Sequence, residues 1–187
     1  DINTLKTLPR KELISGLGEI IKYGIIWDYD FFNAIKKDMK KIFEFDNITL
    51  TSIIKRCCEI KAEVVSKDEK ELGIRKILNF GHTIGHGLEA ITNYKRFTHG
   101  EAVLVGMYYE ALLATSLGWI DETYFNEIGE MIGSFDISLD ISEFSREIFL
   151  NTIMKDKKNK EGKCSFILPK DRGKVEEVLL DRGEILW

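Results

Sequence analysis

The chain has 187 residues, of which 44% are apolar and 31% charged, enough apolar sequence for one well-packed domain. Its 27 basic and 31 acidic side chains give a formal charge of −4, which excludes the basic surface that nucleic-acid binding requires. The most apolar window, residues 102–120, contains Glu110 and therefore predicts a core helix and no membrane span. Three cysteines without metal-ligand spacing, in a sequence that shows no secretory segment, lead us to expect a cytoplasmic protein.

Helical periodicity covers most of the chain and predicts a mainly α, multi-helix domain with a short β-hairpin near the C-terminus. The first predicted helix has Pro9 in its first turn. The predicted helices are residues 9–26, 28–43, 48–71, 81–91, 99–117, 121–132 and 142–154. Two short extended segments, 163–169 and 174–180, are joined by a turn at KDRG. No strand is followed by a Gly-rich loop of the dinucleotide-binding type, so any nucleotide cofactor would bind mainly outside this chain.

Three charged residues stand on faces that are otherwise apolar. Glu19 and Lys22 share one face of the first helix, and Lys61 occupies the stripe formed by Leu50, Ile54, Cys57 and Val64. An unpaired buried charge costs several kcal/mol, so such groups are normally paired, bound to a metal or directed into a polar cleft. Two simpler interpretations stay open, namely an i,i+3 ion pair for the first two and a Lys61 whose ammonium reaches water.

All three histidines fall within eighteen positions, at 82, 86 and 99. His82 and His86 are four residues apart, which places two imidazoles on one side of a helix, a recurrent zinc geometry. The HExxH arrangement is absent, because Thr83 stands where its glutamate would be. His99 and a distant carboxylate would complete an open catalytic zinc site. The alternative is that the histidines are structural.

Four segments together resemble the C-terminal domain of the 3-dehydroquinate synthase family: LPRKELISGLGEIIKYG, KAEVVSKDEKELGIRKILNFGHTIGHGLE, HGEAVLVGM and MKDKKNKEGKCSFIL. The resemblance runs from residue 1 to about residue 180, in order and with family-like spacing. Complete members of the family begin with an NAD-binding α/β domain. The resemblance therefore implies that residues 1–187 are the C-terminal metal- and substrate-binding domain, that the N-terminal domain is absent, and that the chain alone is inactive.

The resemblance also assigns roles to individual residues. It makes Glu19, His82 and His99 the ligands of Zn²⁺, with Co²⁺ fitting the same set. Of the two histidines four residues apart, only His82 would then bind the metal. The implied catalytic and substrate-binding residues are Lys22, Lys61, Arg75 and Asn79 around the hydroxyls and carboxylate, with His86, Lys157 and, more weakly, Glu71 on the phosphate side.

The implied enzyme is a lyase that uses NAD⁺ and a metal. It would convert 3-deoxy-D-arabino-heptulosonate 7-phosphate, a phosphorylated sugar acid, to 3-dehydroquinate and phosphate. That is the second step of the shikimate pathway to chorismate and the aromatic amino acids, and the full-length family members are homodimers. The alternatives are a related sugar-phosphate cyclase resembling 2-deoxy-scyllo-inosose synthase, a metal-dependent polyol dehydrogenase, and a non-catalytic helical interaction module.

Overall fold

The structure is a computed structural model that describes residues 2–68, 73–155 and 162–185. The α-helices of these residues are α1 (Arg10–Ile26), α2 (Tyr29–Phe43), α3 (Asn47–Lys67), α4 (His82–Ile91), α5 (His99–Ser116), α6 (Glu122–Gly133) and α7 (Arg146–Ile153). Ile2–Thr7 and Ile74–Asn79 form 3₁₀ helices, and β1 (Cys164–Asp171) pairs antiparallel with β2 (Lys174–Leu180). The predicted fold class, mainly α with a C-terminal hairpin, is confirmed. None of the described helices combines the length and the apolar character that crossing a membrane requires.

Side-chain caps explain where several helices begin. The aspartate before each of α2, α3 and α6 accepts a hydrogen bond from a first-turn backbone N–H, and these are Asp28, Asp46 and Asp121. Helix α5 begins with a capping box, in which Thr98 and Glu101 each accept a hydrogen bond from the other's backbone N–H. Because His99 is the first residue of α5, this capping box fixes the backbone that carries it.

Helix α5 is the central element, and it packs against α4, α1, α6 and β1. Two of its glycines permit very close approaches. A Cβ atom at Gly106 would lie 2.0 Å from the carbonyl oxygen of Gly81, and one at Gly100 would lie 2.3 Å from the Cα of Ser15. The starts of α4 and α5 and the middle of α1 are therefore held together without intervening side chains, and these are the segments that carry the predicted metal ligands.

The predicted apolar stripe of α3 is partly wrong. The residues that the helix buries are Leu50, Ile53, Ile60 and Val64. Ile54 is 39% exposed and Lys61 is exposed, so neither lies on the buried face as predicted. The stripe that packs against α1 and α2 has Ile53 and Ile60 in place of Ile54 and Lys61, and it contains no charged residue. The Lys61 ammonium therefore needs no buried partner.

The ends of α3 and α7 also differ from the predicted bounds. Helix α3 ends at Lys67, because the next residue, Asp68, turns its carboxylate to the backbone N–H groups of Gly73 and Arg75. Helix α7 begins at Arg146 and not at 142. The residues before it form a turn in which the Asp140 carboxylate accepts a hydrogen bond from the backbone N–H of Ser142. Local side-chain capping thus competes with helix formation at both places.

Candidate metal and substrate site

A buried carboxylate fixes the start of α4. Gly81, in the left-handed conformation (φ 80°), precedes the helix, and its N–H donates to Glu110 Oε2 at 2.6 Å. The N–H of Ile84 donates to Glu110 Oε1 at 3.2 Å. Glu110 is fully buried on α5 and satisfies two of the N–H groups that lack partners within the helix. His82 lies between the two donors, so its backbone position is set from both sides.

The His82 imidazole is held in one tautomer. Its Nδ1 lies 3.1 Å from the carbonyl oxygen of Phe80. A carbonyl can only accept, so Nδ1 carries the proton and Nε2 presents its lone pair. Burial, and to a lesser extent the neighbouring Lys22 charge, lower the pKa of His82 to about 4. The ring is therefore neutral at pH 7, which is the form that binds a metal ion.

Glu19 and Lys22 form the ion pair that their spacing in α1 suggested. Lys22 Nζ lies 2.5 Å from Glu19 Oε2, and the lysine side chain is only 4% exposed. Burial acts to raise the pKa of Glu19, but the charge and hydrogen bond of Lys22 outweigh it and hold that pKa below its usual value. Burial lowers the pKa of Lys22, and the charge and hydrogen bond of Glu19 offset part of this lowering. The pair therefore leaves Glu19 as a carboxylate with one oxygen engaged.

The other oxygen of Glu19, Oε1, is buried and has no hydrogen-bond partner among the described residues. It lies 3.7 Å from His82 Nε2. One ligand atom from each of Glu19, His82 and His99 lies within 4.8 Å of the others. Two imidazoles and one carboxylate are a usual ligand set for catalytic zinc, with a fourth position left open. The orphaned oxygen and the neutral imidazole fit a divalent cation bound between them.

The third histidine of the cluster, His86, stands beside the other two. Its ring centroid lies 5.4 Å from that of His82 and 5.9 Å from that of His99. His86 also lines a surface pocket together with Thr152 and Lys155. A second group of possible ligand atoms, from His86, Glu89 and His99, lies within 4.8 Å of one another. Spacing along α4 therefore brings His82 and His86 together, and the structure adds a second possible grouping around His99.

The remaining predicted residues surround this cluster unequally. Arg75 and Asn79 are half-buried on the 3₁₀ helix that leads into α4. Lys61 is exposed on α3, close enough to Lys22 for its charge to lower that residue's pKa. Glu71 and Lys157 lie outside the described residues. The structure thus brings Glu19, Lys22, His82, His86 and His99 together. The roles of these five residues, and of the other five, stay predictions.

Three residues that hold the site were not predicted from the sequence. Glu110 stands out in the sequence only because it interrupts an apolar window, and an acidic residue in such a window indicates a buried polar contact. Glu89 accepts a hydrogen bond from His99 Nδ1 at 3.2 Å. The Ser15 hydroxyl accepts one from the N–H of Gly100 at 3.0 Å and so ties α1 to the start of α5. Sequence patterns give no signal for Ser15, because its partner is distant in the chain.

Several solved structures share this fold, among them two that were solved with ligands bound. A 2-epi-5-epi-valiolone synthase from Streptomyces hygroscopicus subsp. jinggangensis 5008, solved with NAD⁺ and Zn²⁺ bound, superposes with a TM-score of 0.87 at 21% identity, over 99% of this chain and 52% of that one. A 2-deoxy-scyllo-inosose synthase, solved with carbaglucose-6-phosphate, NAD⁺ and Co²⁺, superposes with a TM-score of 0.78 at 23% identity, over the same shares. The chain therefore has the fold of a helical domain found in these synthases, and in this chain that domain carries a two-histidine, one-carboxylate cluster.

The family follows from sequence comparison. Residues 16–159 match the family described as 3-dehydroquinate synthase C-terminal. A 3-dehydroquinate synthase from Alkaliphilus metalliredigens (strain QYMF) is 57% identical over 99% of this chain and 52% of that protein. The chain belongs to the 3-dehydroquinate synthase C-terminal family, which confirms the resemblance found in its sequence. It spans about half the length of the curated relatives that it matches.

Proposed function

We propose that the chain is the metal- and substrate-binding part of a 3-dehydroquinate synthase. The enzyme would convert 3-deoxy-D-arabino-heptulosonate 7-phosphate to 3-dehydroquinate and phosphate, the second step of the shikimate pathway. Family membership supports this proposal. The observation that carries it is the buried Oε1 of Glu19, which has no hydrogen-bond partner in residues 2–68, 73–155 and 162–185. This oxygen lies 3.7 Å from Nε2 of the neutral His82 ring and is grouped with His99.

We further propose that the chain works with a nucleotide-binding region outside it. The relatives are about twice as long, and the two synthases with this fold were solved with NAD⁺ bound. NAD⁺ would bind mainly to that region, and the chain alone would not turn over. As in the family, the complete enzyme would be a cytoplasmic homodimer.

In the proposed enzyme, Glu19, His82 and His99 would hold Zn²⁺ or Co²⁺. The bound ion would supply a Lewis acid that polarises the hydroxyl to be oxidised. Lys22 engages one carboxylate oxygen of Glu19 and so leaves the other directed towards His82. The Phe80 carbonyl orients His82, because it holds the proton on Nδ1 and leaves the lone pair of Nε2 for the ion.

The cationic residues around the ligands would bind the anionic substrate. The exposed Lys61 would attract the substrate electrostatically, and Arg75 would donate two parallel N–H groups to the substrate's carboxylate. Asn79 would bind hydroxyls of the substrate, and His86 would contact its phosphate. Lys157 and Glu71, outside the described residues, would complete the phosphate side.

A related sugar-phosphate cyclase is the second candidate, because two such enzymes share the fold at 21% and 23% identity. A likeness at that level concerns the fold alone. The 57% identity to a 3-dehydroquinate synthase over nearly the whole chain favours the first candidate.

The test fuses the chain to a nucleotide-binding region. The nucleotide-binding region of the Alkaliphilus metalliredigens relative would be fused ahead of the chain, and phosphate release would be measured with the heptulosonate phosphate and, separately, with glucose 6-phosphate. Release from the heptulosonate phosphate alone supports the proposal, and release from glucose 6-phosphate alone favours the second candidate. We expect Glu19→Gln and His99→Ala to abolish release, and a surface control, Glu130→Gln on α6, to preserve it. Phosphate release that survives in both Glu19→Gln and His99→Ala would overturn the proposal that these residues bind a catalytic metal.

A further inference from the structure

We propose that Glu89 is a positioning residue for the metal site, and that it orients His99 for binding through Nε2. This inference rests on the proposed function, because it concerns the same metal. Glu89 lies on α4, its side chain is 10% exposed, and its Oε1 is 3.2 Å from His99 Nδ1. Among the described residues, His99 is the hydrogen-bond partner of its carboxylate.

His99 needs such a restraint more than His82 does. The His99 side chain is 49% exposed, whereas that of His82 is 13% exposed and therefore confined by packing. The capping box at the start of α5 consists of hydrogen bonds between Thr98 and Glu101, which fix the His99 backbone. Without Glu89, the half-exposed imidazole would be free to change rotamer. A carboxylate on Nδ1 fixes the ring and its tautomer, and it also strengthens Nε2 as a ligand.

The grouping of Glu89 with His86 and His99 offers a competing role, in which Glu89 itself binds the metal. The hydrogen bonds decide between the two. Glu89 already has a partner on Nδ1 of His99, so the same ring can bind an ion only through its other nitrogen. Glu19, by contrast, has a buried oxygen for which the described part of the chain offers no hydrogen-bond partner. The ion therefore belongs with Glu19, and Glu89 acts on it through His99.

The test measures Zn²⁺ affinity of the metal-free chain by competition with a chromophoric chelator. We expect Glu89→Ala to weaken binding about 10- to 100-fold, the usual range for such outer partners. Glu89→Gln should fall between Glu89→Ala and the unsubstituted chain, because its amide oxygen still accepts from Nδ1. The visible spectrum of the Co²⁺-loaded chain should change in Glu89→Ala, which a loss of stability alone would not produce.

The matched control is Glu127→Gln. Glu127 lies on α6, its side chain is 24% exposed, and it accepts hydrogen bonds from Tyr29 and Arg172. Glu127→Gln should lower stability in urea, because it weakens these hydrogen bonds, and leave Zn²⁺ affinity within about twofold.

Five outcomes would overturn the role of Glu89. Unchanged affinity in both Glu89 variants would do so, as would equal weakening in Glu127→Gln. If the unsubstituted chain binds two ions and Glu89→Gln binds one, Glu89 is itself a ligand. If the unsubstituted chain binds no Zn²⁺, or if Glu19→Gln binds as tightly as the unsubstituted chain, the proposed metal site fails as well. If Glu19→Gln weakens binding and the Glu89 variants do not, the inference fails alone.

Discussion

Replacing Glu110 by glutamine tests whether the buried carboxylate holds the start of α4. Glutamine has nearly the same shape but only one acceptor oxygen. Glu110 accepts hydrogen bonds from the N–H of Gly81 at 2.6 Å and from the N–H of Ile84 at 3.2 Å. In the glutamine variant, one of these N–H groups would face the side-chain NH₂ group, which is itself a donor. The substitution therefore removes one charge-assisted hydrogen bond and weakens the other.

The size of the effect follows from these two contacts. A hydrogen bond to a charged group contributes about 1.5–3 kcal/mol, and a buried donor left without a partner costs about 1–3 kcal/mol. Removing the charge offsets part of this loss, because a fully buried carboxylate is itself costly to desolvate. We expect the free energy of unfolding of Glu110→Gln to fall by about 2 kcal/mol. Zn²⁺ affinity should fall as well, since His82 lies between the two donors.

Urea unfolding measures this change directly. With a slope of about 2 kcal/mol per molar urea, the midpoint should move down by about 1 M. Glu130→Gln is the control, because it removes an exposed carboxylate whose ion pair with Lys36 contributes little. An unchanged or higher midpoint for Glu110→Gln would refute the reasoning, since it would mean that desolvation of the carboxylate outweighs the hydrogen bonds that it accepts.

Two further predictions concern glycines and cysteines. Gly106→Ala should destabilise the chain by about 1–3 kcal/mol and weaken Zn²⁺ binding, because its Cβ would lie 2.0 Å from the Gly81 carbonyl oxygen. At Gly16 in α1, an added Cβ would meet nothing within 4 Å beyond its chain neighbours and its own helix, so Gly16→Ala should stabilise the chain by about 0.5–1 kcal/mol. Urea unfolding that ranks these two variants the other way would contradict the close contact between Gly106 and Gly81. Iodoacetamide at pH 8 should label the exposed Cys58 well before Cys57, whose pKa burial raises to about 12, leaving about one thiolate in 10⁴. Peptide mass spectrometry over time would measure both rates, and equal rates would show that Cys57 is not shielded.

The order and type of the helices could be predicted from the sequence, because both depend on residues close together in the chain. Periodicity placed α1, α2, α4, α5 and α6 nearly at their observed bounds. The family was also evident from the sequence, since its motifs are continuous segments. Spacing alone, however, paired His82 with His86 as metal ligands, and only the resemblance replaced His86 by Glu19.

Tertiary structure decided which faces are buried and which side chains meet. On α3, packing against α1 and α2 buries the side with Ile53 and Ile60 and leaves Lys61 exposed. The contact of Glu89 with His99 joins different helices, as does the capping of α4 by Glu110. Both depend on α4 and α5 approaching as closely as Gly106 allows. The sequence by itself determined the helices and the family, whereas the alignment of the proposed metal ligands depends on contacts between residues distant in the chain, which no local pattern encodes.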